Sequence, residues 1–178
     1  EIEHRIIVMV DECGFYPLPS ILKTYAPRAH TPVLRVKQSR DHLSMMGGVT
    51  ITGQLFTLTR EEALNSGHSI LFLRHLLREI GHKLLIVWDG SPIHRGEAVR
   101  KFLAEGGSPM IHLEQFPGYA PDLNPQEGVW RHLKAHELGN VACADLYHLS
   151  LELRRAVRRS RNKPGIIRAC FLEAGLSA

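Results

Sequence analysis

The chain has 178 residues, of which 44% are hydrophobic, enough for one compact domain with a substantial core and too few for two ordinary ones. No stretch approaches the roughly 18 uninterrupted apolar residues of a membrane span, and the N-terminus lacks the segments of a secretory signal. Cys13, Cys143 and Cys170 form no Cys-x-x-Cys pair, which argues against a disulfide framework or a thiolate zinc site. These features predict a soluble, cytoplasmic protein with no membrane partner.

The formal net charge of +4 is concentrated at the C-terminal end. Residues 1–144 carry 15 basic and 15 acidic side chains, whereas residues 145–178 carry 7 basic and 3 acidic ones. Because DNA phosphates attract such a segment, it is a candidate nucleic-acid contact.

The first half of the chain alternates β-type runs with turn signals. The first two runs are Arg5–Val10 and Thr31–Val36. The next two, Leu43–Thr52 and Gln54–Thr59, are separated by Gly53, which predicts a hairpin. Apolar residues at helical spacing then predict a helix over Ser69–Ile80, stopped by Gly81, and a strand follows over Lys83–Trp88.

The second half alternates helices and strands. Its pattern predicts a helix over Gly96–Glu105, a strand over Met110–Phe116 and a helix over Pro125–Leu138 with Asn124 as its cap. The tail predicts a long helix that Pro164-Gly165 breaks, and then a short helix over Ile166–Ala174. Antiparallel strands followed by strand–helix alternation predict an α/β fold with a mixed sheet and helices on both faces.

Three carboxylates stand at the ends or starts of these elements. Asp11 and Asp89 each follow an apolar strand, and Glu127 lies in the first turn of the helix after Asn124. Mg²⁺ prefers oxygen ligands, so the three side chains could converge on one divalent-metal site for phosphoryl transfer. Each also has a structural interpretation, the two aspartates as turn residues and Glu127 as a capping-box residue.

Two stretches of sequence surround these carboxylates in a specific pattern. Trp88-Asp-Gly-Ser-Pro-Ile-His94 and Phe116-Pro-Gly-Tyr-Ala-Pro-Asp-Leu-Asn-Pro-Gln-Glu-Gly-Val-Trp130 resemble the catalytic core of DDE transposases of the Tc/mariner superfamily, particularly its bacterial insertion-sequence branch. The Asp11-Glu12 pair fits the first motif of that family. The resemblance covers most of residues 5–138, and the 37 residues between Asp89 and Glu127 lie within the variation of the family.

The resemblance implies a ribonuclease-H-like fold in an enzyme that cuts and joins DNA. Asp11, Asp89 and Glu127 would bind two Mg²⁺ or Mn²⁺ ions. The enzyme would activate water to cut at transposon ends, and the freed 3′-hydroxyl would then attack target DNA, typically at TA. A homodimer or larger synaptic complex on transposon-end and target DNA is expected, because two ends must be paired.

The resemblance also bears on the extent and setting of the chain. The family's N-terminal helix-turn-helix region is expected to be absent. Residues 1–178 are therefore predicted to be a single ribonuclease-H-like catalytic domain, with a basic helical segment over about 144–178, acting at the bacterial nucleoid.

Two positions depart from the family pattern. Gly90 stands where Asn often follows the second aspartate, and Tyr25 stands where Trp is common. Neither change removes a carboxylate. Two alternatives stay open: a ribonuclease-H-like nuclease that only hydrolyses, and a transposase-derived remnant that binds DNA or a protein without cleaving.

Several cationic side chains are candidate DNA contacts. His94, five residues after Asp89, could contact a scissile phosphate or water, or could be a solvated histidine at a helix start. Four arginines lie on the polar side of the long C-terminal helix and could neutralise phosphates or form a solvated face: Arg154, Arg155, Arg158 and Arg159. Arg28, Lys37 and Arg40 are weaker candidates of the same kind.

Other residues near the motifs have mainly structural interpretations. Glu12 is expected to point to the sheet face opposite Asp11, away from the metal. His132 and His136 lie one helical turn apart, but no His-Glu-x-x-His motif supports zinc binding. Trp130 is predicted to be a core residue that anchors the helix of Glu127.

Overall fold

The computed structural model describes residues 4–23, 25–30, 33–34, 40–107, 109–118 and 121–176. In this part of the chain five strands form one sheet in the order β3-β2-β1-β4-β5. Antiparallel pairs join β1 to β2 and β2 to β3, and parallel pairs join β1 to β4 and β4 to β5, so the predicted mixed sheet is confirmed. The strands are β1 (Ile6–Phe15), β2 (Leu43–Thr50), β3 (Leu55–Arg60), β4 (Leu84–Trp88) and β5 (Ile111–Gln115).

Helices cover both faces of the sheet, as the sequence predicts. The first face carries the first three helices and the second face carries the last three. None of the helices in the described ranges combines the length and the apolar character needed to cross a bilayer. The helices are α1 (Ser66–Ile80), α2 (Pro92–Arg95), α3 (Glu97–Phe102), α4 (Pro125–His132), α5 (Leu146–Arg161) and α6 (Pro164–Glu173).

The alternation of side chains along β1 divides the core into two layers. Val8 and Val10 pack on the α1 side with Phe72, whereas Met9 packs on the α4 side with Trp130. Because successive strand residues point to opposite faces, the next two positions follow the same rule. Asp11 therefore faces α4, and Glu12 faces the side of α1 and α2, as predicted.

Side-chain caps fix where the helices begin. Asn65 caps α1 by accepting from the backbone N–H groups of Gly67 and His68, so the helix starts three residues earlier than the apolar pattern predicts. The cap and first residue predicted for α4 are confirmed, because Asn124 accepts from the N–H of Gln126 and Pro125 is the first helical residue. A π-type turn, Leu133–Glu137, continues α4.

The first strand is longer than its apolar run indicates. The predicted strand over Arg5–Val10 is too short, because residues 11–15 pair with β2 from Gly47 back to Leu43. Asp11 consequently lies inside β1 rather than at its end. The turn interpretation of this aspartate is wrong.

Three further boundaries differ from prediction. The helix predicted over Gly96–Glu105 is observed as α3 and a π-type turn, Leu103–Gly107, that continues it. The extended backbone of Gly96, with φ −63° and ψ 159°, separates α3 from α2, which the pattern does not predict. Pro164 does end α5, yet it also serves as the first residue of α6, so the helix predicted over Ile166–Ala174 starts earlier. The predicted strand Thr31–Val36 lies largely outside the described residues, and Val33 and Leu34, which are described, are in no strand.

The three cysteines are free thiols in the structure. Burial raises the pKa of each thiol. Cys143 and Cys170 are buried in the α4 layer of the core.

Helix α4 packs against β2 at a position that only glycine permits. A Cβ on Gly47 would lie 2.4 Å from the ring of Trp130 and 2.5 Å from Nε2 of Gln126, and both side chains are buried. This close approach seats α4, and with it Glu127, against the centre of the sheet.

We expect Gly47→Ala to destabilise the fold by about 1–3 kcal/mol, because the added methyl group overpacks the α4 layer. The measurement is the melting temperature, which should fall by roughly 2–4 °C for each kcal/mol. Gly165→Ala is the matched control, since a Cβ there would meet nothing within 4 Å. Equal melting temperatures of the two variants would contradict this packing.

Candidate metal centre

A side chain of helix α4 holds Asp11 in place. The indole Nε1–H of Trp130, which is 2% exposed, donates to Oδ2 of Asp11 at 3.0 Å. The ring reaches the aspartate because Gly47, the β2 partner of Asp11, has no side chain to block it. The predicted core role of Trp130 is confirmed, and its role as a hydrogen-bond donor is additional.

Asp89 follows β4 at the same edge of the sheet. In the parallel β1–β4 pair Met9 lies opposite Val87, and Asp11 and Asp89 each come two residues later. Oδ1 of Asp89 accepts from the backbone N–H of Ser91 at 2.9 Å, which closes a turn. The side chain remains 55% exposed and therefore accessible to a ligand.

Glu127 completes the set from the first turn of α4. It is exposed and lines one cleft of about 690 Å³ together with Asp11 and Asp89. The structure thus brings all three predicted carboxylates to a single cleft. Arg95, which the sequence reasoning missed, also lines it.

The environment of Asp11 disfavours its ionised form. The pKa of Asp11 is raised to about 7, chiefly by burial and in part by the negative charge of Glu127, while the hydrogen bond from Trp130 opposes both effects. A bound cation would reverse this balance, because it favours the carboxylate.

A second cluster adjoins the cleft on the other face of the sheet. Nε2 of His94 lies 3.1 Å from Oε1 of Glu12 and 3.2 Å from Oδ1 of Asp89. Its ring stacks on Trp88 with a centroid distance of 4.1 Å. His94 is only 3% exposed, so its interpretation as a solvated histidine is wrong.

The two clusters differ in the distances between their possible ligand atoms. Among the residues that the structure describes, Glu12, Asp89 and His94 form the group whose ligand atoms all lie within 4.8 Å of one another. Asp11 and Glu127 are not members of it. The predicted carboxylates therefore surround an open cleft and do not converge on one point.

Signals for this second cluster exist in the sequence. Glu12 follows Asp11 directly, and His94 follows Asp89 by five residues. The contact between them joins residues 82 positions apart, which periodicity alone cannot reveal.

The predicted DNA contacts lie on the exposed side of α5. Arg155 pairs with Glu152 at 2.6 Å, and Arg159 pairs with Glu137. Arg154 and Arg158 are exposed and have no acidic partner among the described residues. The four predicted arginines therefore divide into a paired and an unpaired set.

The weaker candidates are less well placed. Arg28 and Arg40 are exposed, and Lys37 lies outside the described residues. The rings of His132 and His136 stack at 5.4 Å, but within the described ranges they belong to no group of three ligating side chains. Nothing there supports a zinc site.

The donor set of the cleft fits a hard divalent cation. Three carboxylates supply oxygen ligands of the kind that Mg²⁺ and Mn²⁺ prefer. Asp11 accepts from the buried indole N–H of Trp130, and Asp89 accepts from the backbone N–H of Ser91, as ligating carboxylates are generally hydrogen-bonded in turn. The open volume leaves room for a phosphodiester.

Comparisons with known proteins agree with this geometry. The family model described as DDE superfamily endonuclease matches residues 6–150. The Mos1 mariner paired-end complex with Mn is 21% identical with a TM-score of 0.61, and the alignment covers 97% of this chain and 56% of that chain. The Mos1 strand transfer complex is 19% identical with a TM-score of 0.61, covering 99% and 56%.

The catalytic domain of Mos1 mariner transposase is 17% identical with a TM-score of 0.57, and the alignment covers 98% of this chain and 84% of that chain. These similarities confirm the predicted ribonuclease-H-like fold. The chain spans a little over half the length of the Mos1 chains in the two complexes. A search of curated protein sequences found no match.

We expect Asp11→Asn to stabilise the metal-free chain at pH 8 and to have a much smaller effect at pH 5. The raised pKa means that the folded state retains the Asp11 proton after the unfolded state has lost it, so stability falls as the pH rises from about 4 to about 7. Asn removes this penalty and can still accept from Trp130.

The measurement is thermal unfolding in the presence of EDTA, with a gain of roughly 2–4 °C at pH 8 for each kcal/mol of relieved charge. Asp122→Asn, an exposed aspartate outside the cleft, is the control. A variant that melts below the native chain at pH 8 would contradict the electrostatic account.

Proposed function

The chain belongs to the DDE superfamily endonucleases, and from this premise we propose that it is the catalytic domain of a DNA transposase. It cuts DNA at transposon ends and joins the cut ends to target DNA. The observation that carries the proposal is the arrangement of Asp11, Asp89 and Glu127 around one cleft at the edge of the sheet. The Mos1 complexes, one of which holds the left transposon end, support DNA as the substrate.

We propose that these three carboxylates bind two divalent ions, Mg²⁺ or Mn²⁺. Complexes of Mos1 with Mn and with Mg support this choice. Bound ions would stabilise negative charge on the attacking and leaving oxygens of a phosphodiester.

The charges of the cleft indicate that DNA needs bound cations to enter it. Its lining contains three carboxylates and one cationic side chain, Arg95. Without added cations this lining repels DNA phosphates. We propose that Arg95, as the cationic side chain in this lining, contacts a DNA phosphate.

The proposed reaction has two steps, and each replaces one bond to phosphorus with another, so neither needs an external energy source. In cleavage a water oxygen bonds to phosphorus and the bond to the 3′-oxygen breaks, leaving a 3′-hydroxyl. In joining, that hydroxyl bonds to a target phosphorus and displaces another 3′-oxygen. Trp130 holds Asp11 through both steps, so the cleft keeps its shape while the DNA strands exchange.

The proposal also covers the extent of the domain, its location in the cell, its assembly and its DNA contacts. Residues 1–178 act as one catalytic domain of the bacterial insertion-sequence branch, in the cytoplasm at the nucleoid. Two copies or more assemble on paired transposon ends. The arginines of α5, with His94 as a further candidate, contact DNA.

We expect Asp89→Asn to reduce Mn²⁺-dependent nicking of supercoiled plasmid and strand transfer of pre-cut ends by roughly a thousandfold, because it removes a metal ligand worth several kcal/mol. The assay compares the native chain, Asp89→Asn and the control Asp122→Asn, and scores nicked and joined products separately.

Each result has a distinct meaning. Joined products made by the native chain and Asp122→Asn support the transposase. Nicked products alone indicate a nuclease that only hydrolyses. DNA binding without cleavage in all three proteins indicates a binding remnant, and equal activity of Asp89→Asn refutes the site.

We expect the double variant Arg154→Ala/Arg158→Ala to reduce the salt dependence of DNA binding more than Arg155→Ala/Arg159→Ala does. Each lost phosphate contact lowers the slope of log K against log salt by about 0.9, and the second pair already neutralises carboxylates. Fluorescence anisotropy at several salt concentrations measures the slopes. Identical slopes for native and both variants would remove α5 from the DNA interface.

A further inference from the structure

His94 is a buried side chain that the proposed reaction leaves without a defined task. We propose that His94 is a positioning residue, which holds Oδ1 of Asp89 so that Oδ2 is presented to a divalent ion, and that Glu12 anchors His94 in this role. The inference rests on the proposed function, because it concerns how one metal ligand of that site is oriented.

The contacts of Nε2 require that it carry a hydrogen. Three carboxylate oxygens lie around it: Oε1 of Glu12 at 3.1 Å, Oε2 of Glu12 at 3.3 Å and Oδ1 of Asp89 at 3.2 Å. A bare nitrogen lone pair would repel all three. Nε2–H therefore hydrogen-bonds to Oε2 of Glu12 and lies against Oδ1 of Asp89, and Nδ1 has no hydrogen-bond partner among the described residues.

The imidazole has a fixed orientation. It stacks on Trp88 with an interplanar angle of 16°, and its backbone N–H donates to the carbonyl of Ser91 at 3.0 Å. The side chain is 2% exposed, so solvent does not compete for Nε2. A donor that cannot rotate away is suited to fixing the side chain that it contacts.

One oxygen of Asp89 meets both a hydrogen-bond donor and the ring of His94. The N–H of Ser91 at 2.9 Å and Nε2 of His94 at 3.2 Å both meet Oδ1. Oδ2 has no hydrogen-bond donor within the described ranges. The hydrogen bond from Ser91 and the contact with His94 restrict Oδ1 and leave the second oxygen for a cation, the arrangement expected around a metal-ligating carboxylate.

Glu12 ties this arrangement to the first metal ligand. It is the neighbour of Asp11 on β1, and the alternation of the strand sends it to the opposite face, where it meets His94. Its Oε1 is buried and makes no well-aligned hydrogen bond, although it lies 3.1 Å from Nε2. The carboxylate thus acts on His94 through the hydrogen bond that Oε2 accepts and through its charge.

The competing assignment is that His94 is itself a metal ligand, since its Nε2 lies within 4.8 Å of oxygens of Glu12 and Asp89. The two assignments differ in a spectroscopic signature. A positioning residue gives no directly bound nitrogen in the pulsed EPR spectrum of the Mn²⁺-loaded chain, whereas a ligand gives a strong ¹⁴N coupling.

The test measures Mn²⁺ affinity from the EPR signal of free Mn²⁺, without DNA and independent of activity. His94→Phe keeps an aromatic ring on Trp88 and removes the N–H, and we expect it to weaken Mn²⁺ binding by about 10–100-fold. His94→Gln, whose amide can replace the Nε2–H donor, should recover most of the affinity. His132→Phe is the matched control, because that histidine also stacks on a ring and lies beside a carboxylate, but does not line the cleft.

Melting temperatures separate loss of fold from loss of positioning. If His94→Phe lowers the melting temperature strongly, Glu12→Gln is compared with the native chain instead. This variant keeps the shape of the side chain and removes the negative charge beside His94. It should also weaken Mn²⁺ binding.

The outcomes separate this inference from the proposed function. Mn²⁺ binding that is lost in Asp89→Asn, weakened in His94→Phe and restored in His94→Gln supports the positioning role. Binding lost in Asp89→Asn but unchanged in His94→Phe and Glu12→Gln overturns the positioning role alone. A directly bound nitrogen in the native chain overturns it in favour of ligation. No specific Mn²⁺ binding by the native chain overturns the positioning role together with the metal site on which it rests.

Discussion

The pairing of the central strand β1 on both of its edges is the constraint that the rest of the structure depends on. One edge pairs antiparallel with β2 along residues 8–15, and the other pairs parallel with β4 along residues 6–9. A strand held in this way has neither freedom of register nor freedom to rotate, so Asp11 and Glu12 must project to opposite faces. The same pairing brings the end of β4, and with it Asp89, level with Asp11.

The helical layers on the two sides of this strand supply different residues to the site. The α4 layer supplies Glu127 and a donor to Asp11 from Trp130, and the α2 side supplies His94 beside Asp89. In both layers a buried aromatic nitrogen meets a carboxylate that the cleft exposes to a ligand. The core residues near the site therefore do more than fill space, because their hydrogen-bonding edges restrict the side chains that carry charge.

Sequence reasoning could predict the features that local patterns encode. The apolar runs predict four of the five strands within one or two residues, and Asn124 with Pro125 marks the start of α4 correctly. The motif around Asp89 and Glu127 predicts which carboxylates line the cleft. Each of these depends on neighbours a few residues apart.

The remaining features depend on pairs that are distant along the chain. The second half of β1 contains Asp11, Glu12 and Gly14, which interrupt its apolar pattern, and only the pairing with β2 makes it a strand. The Trp130–Asp11 bond joins residues 119 positions apart, and the His94–Glu12 contact joins residues 82 apart. Periodicity carries no information about such contacts, because the tertiary fold creates them.

The burial of Asp11 has a consequence for how such a chain changes over generations. A carboxylate that is costly to ionise lowers the stability of the folded chain, so a mutation that removes it is favoured by stability alone. Only selection for the chemistry of the cleft opposes that drift. In a copy released from that selection, stability alone favours replacement of Asp11 by a neutral side chain.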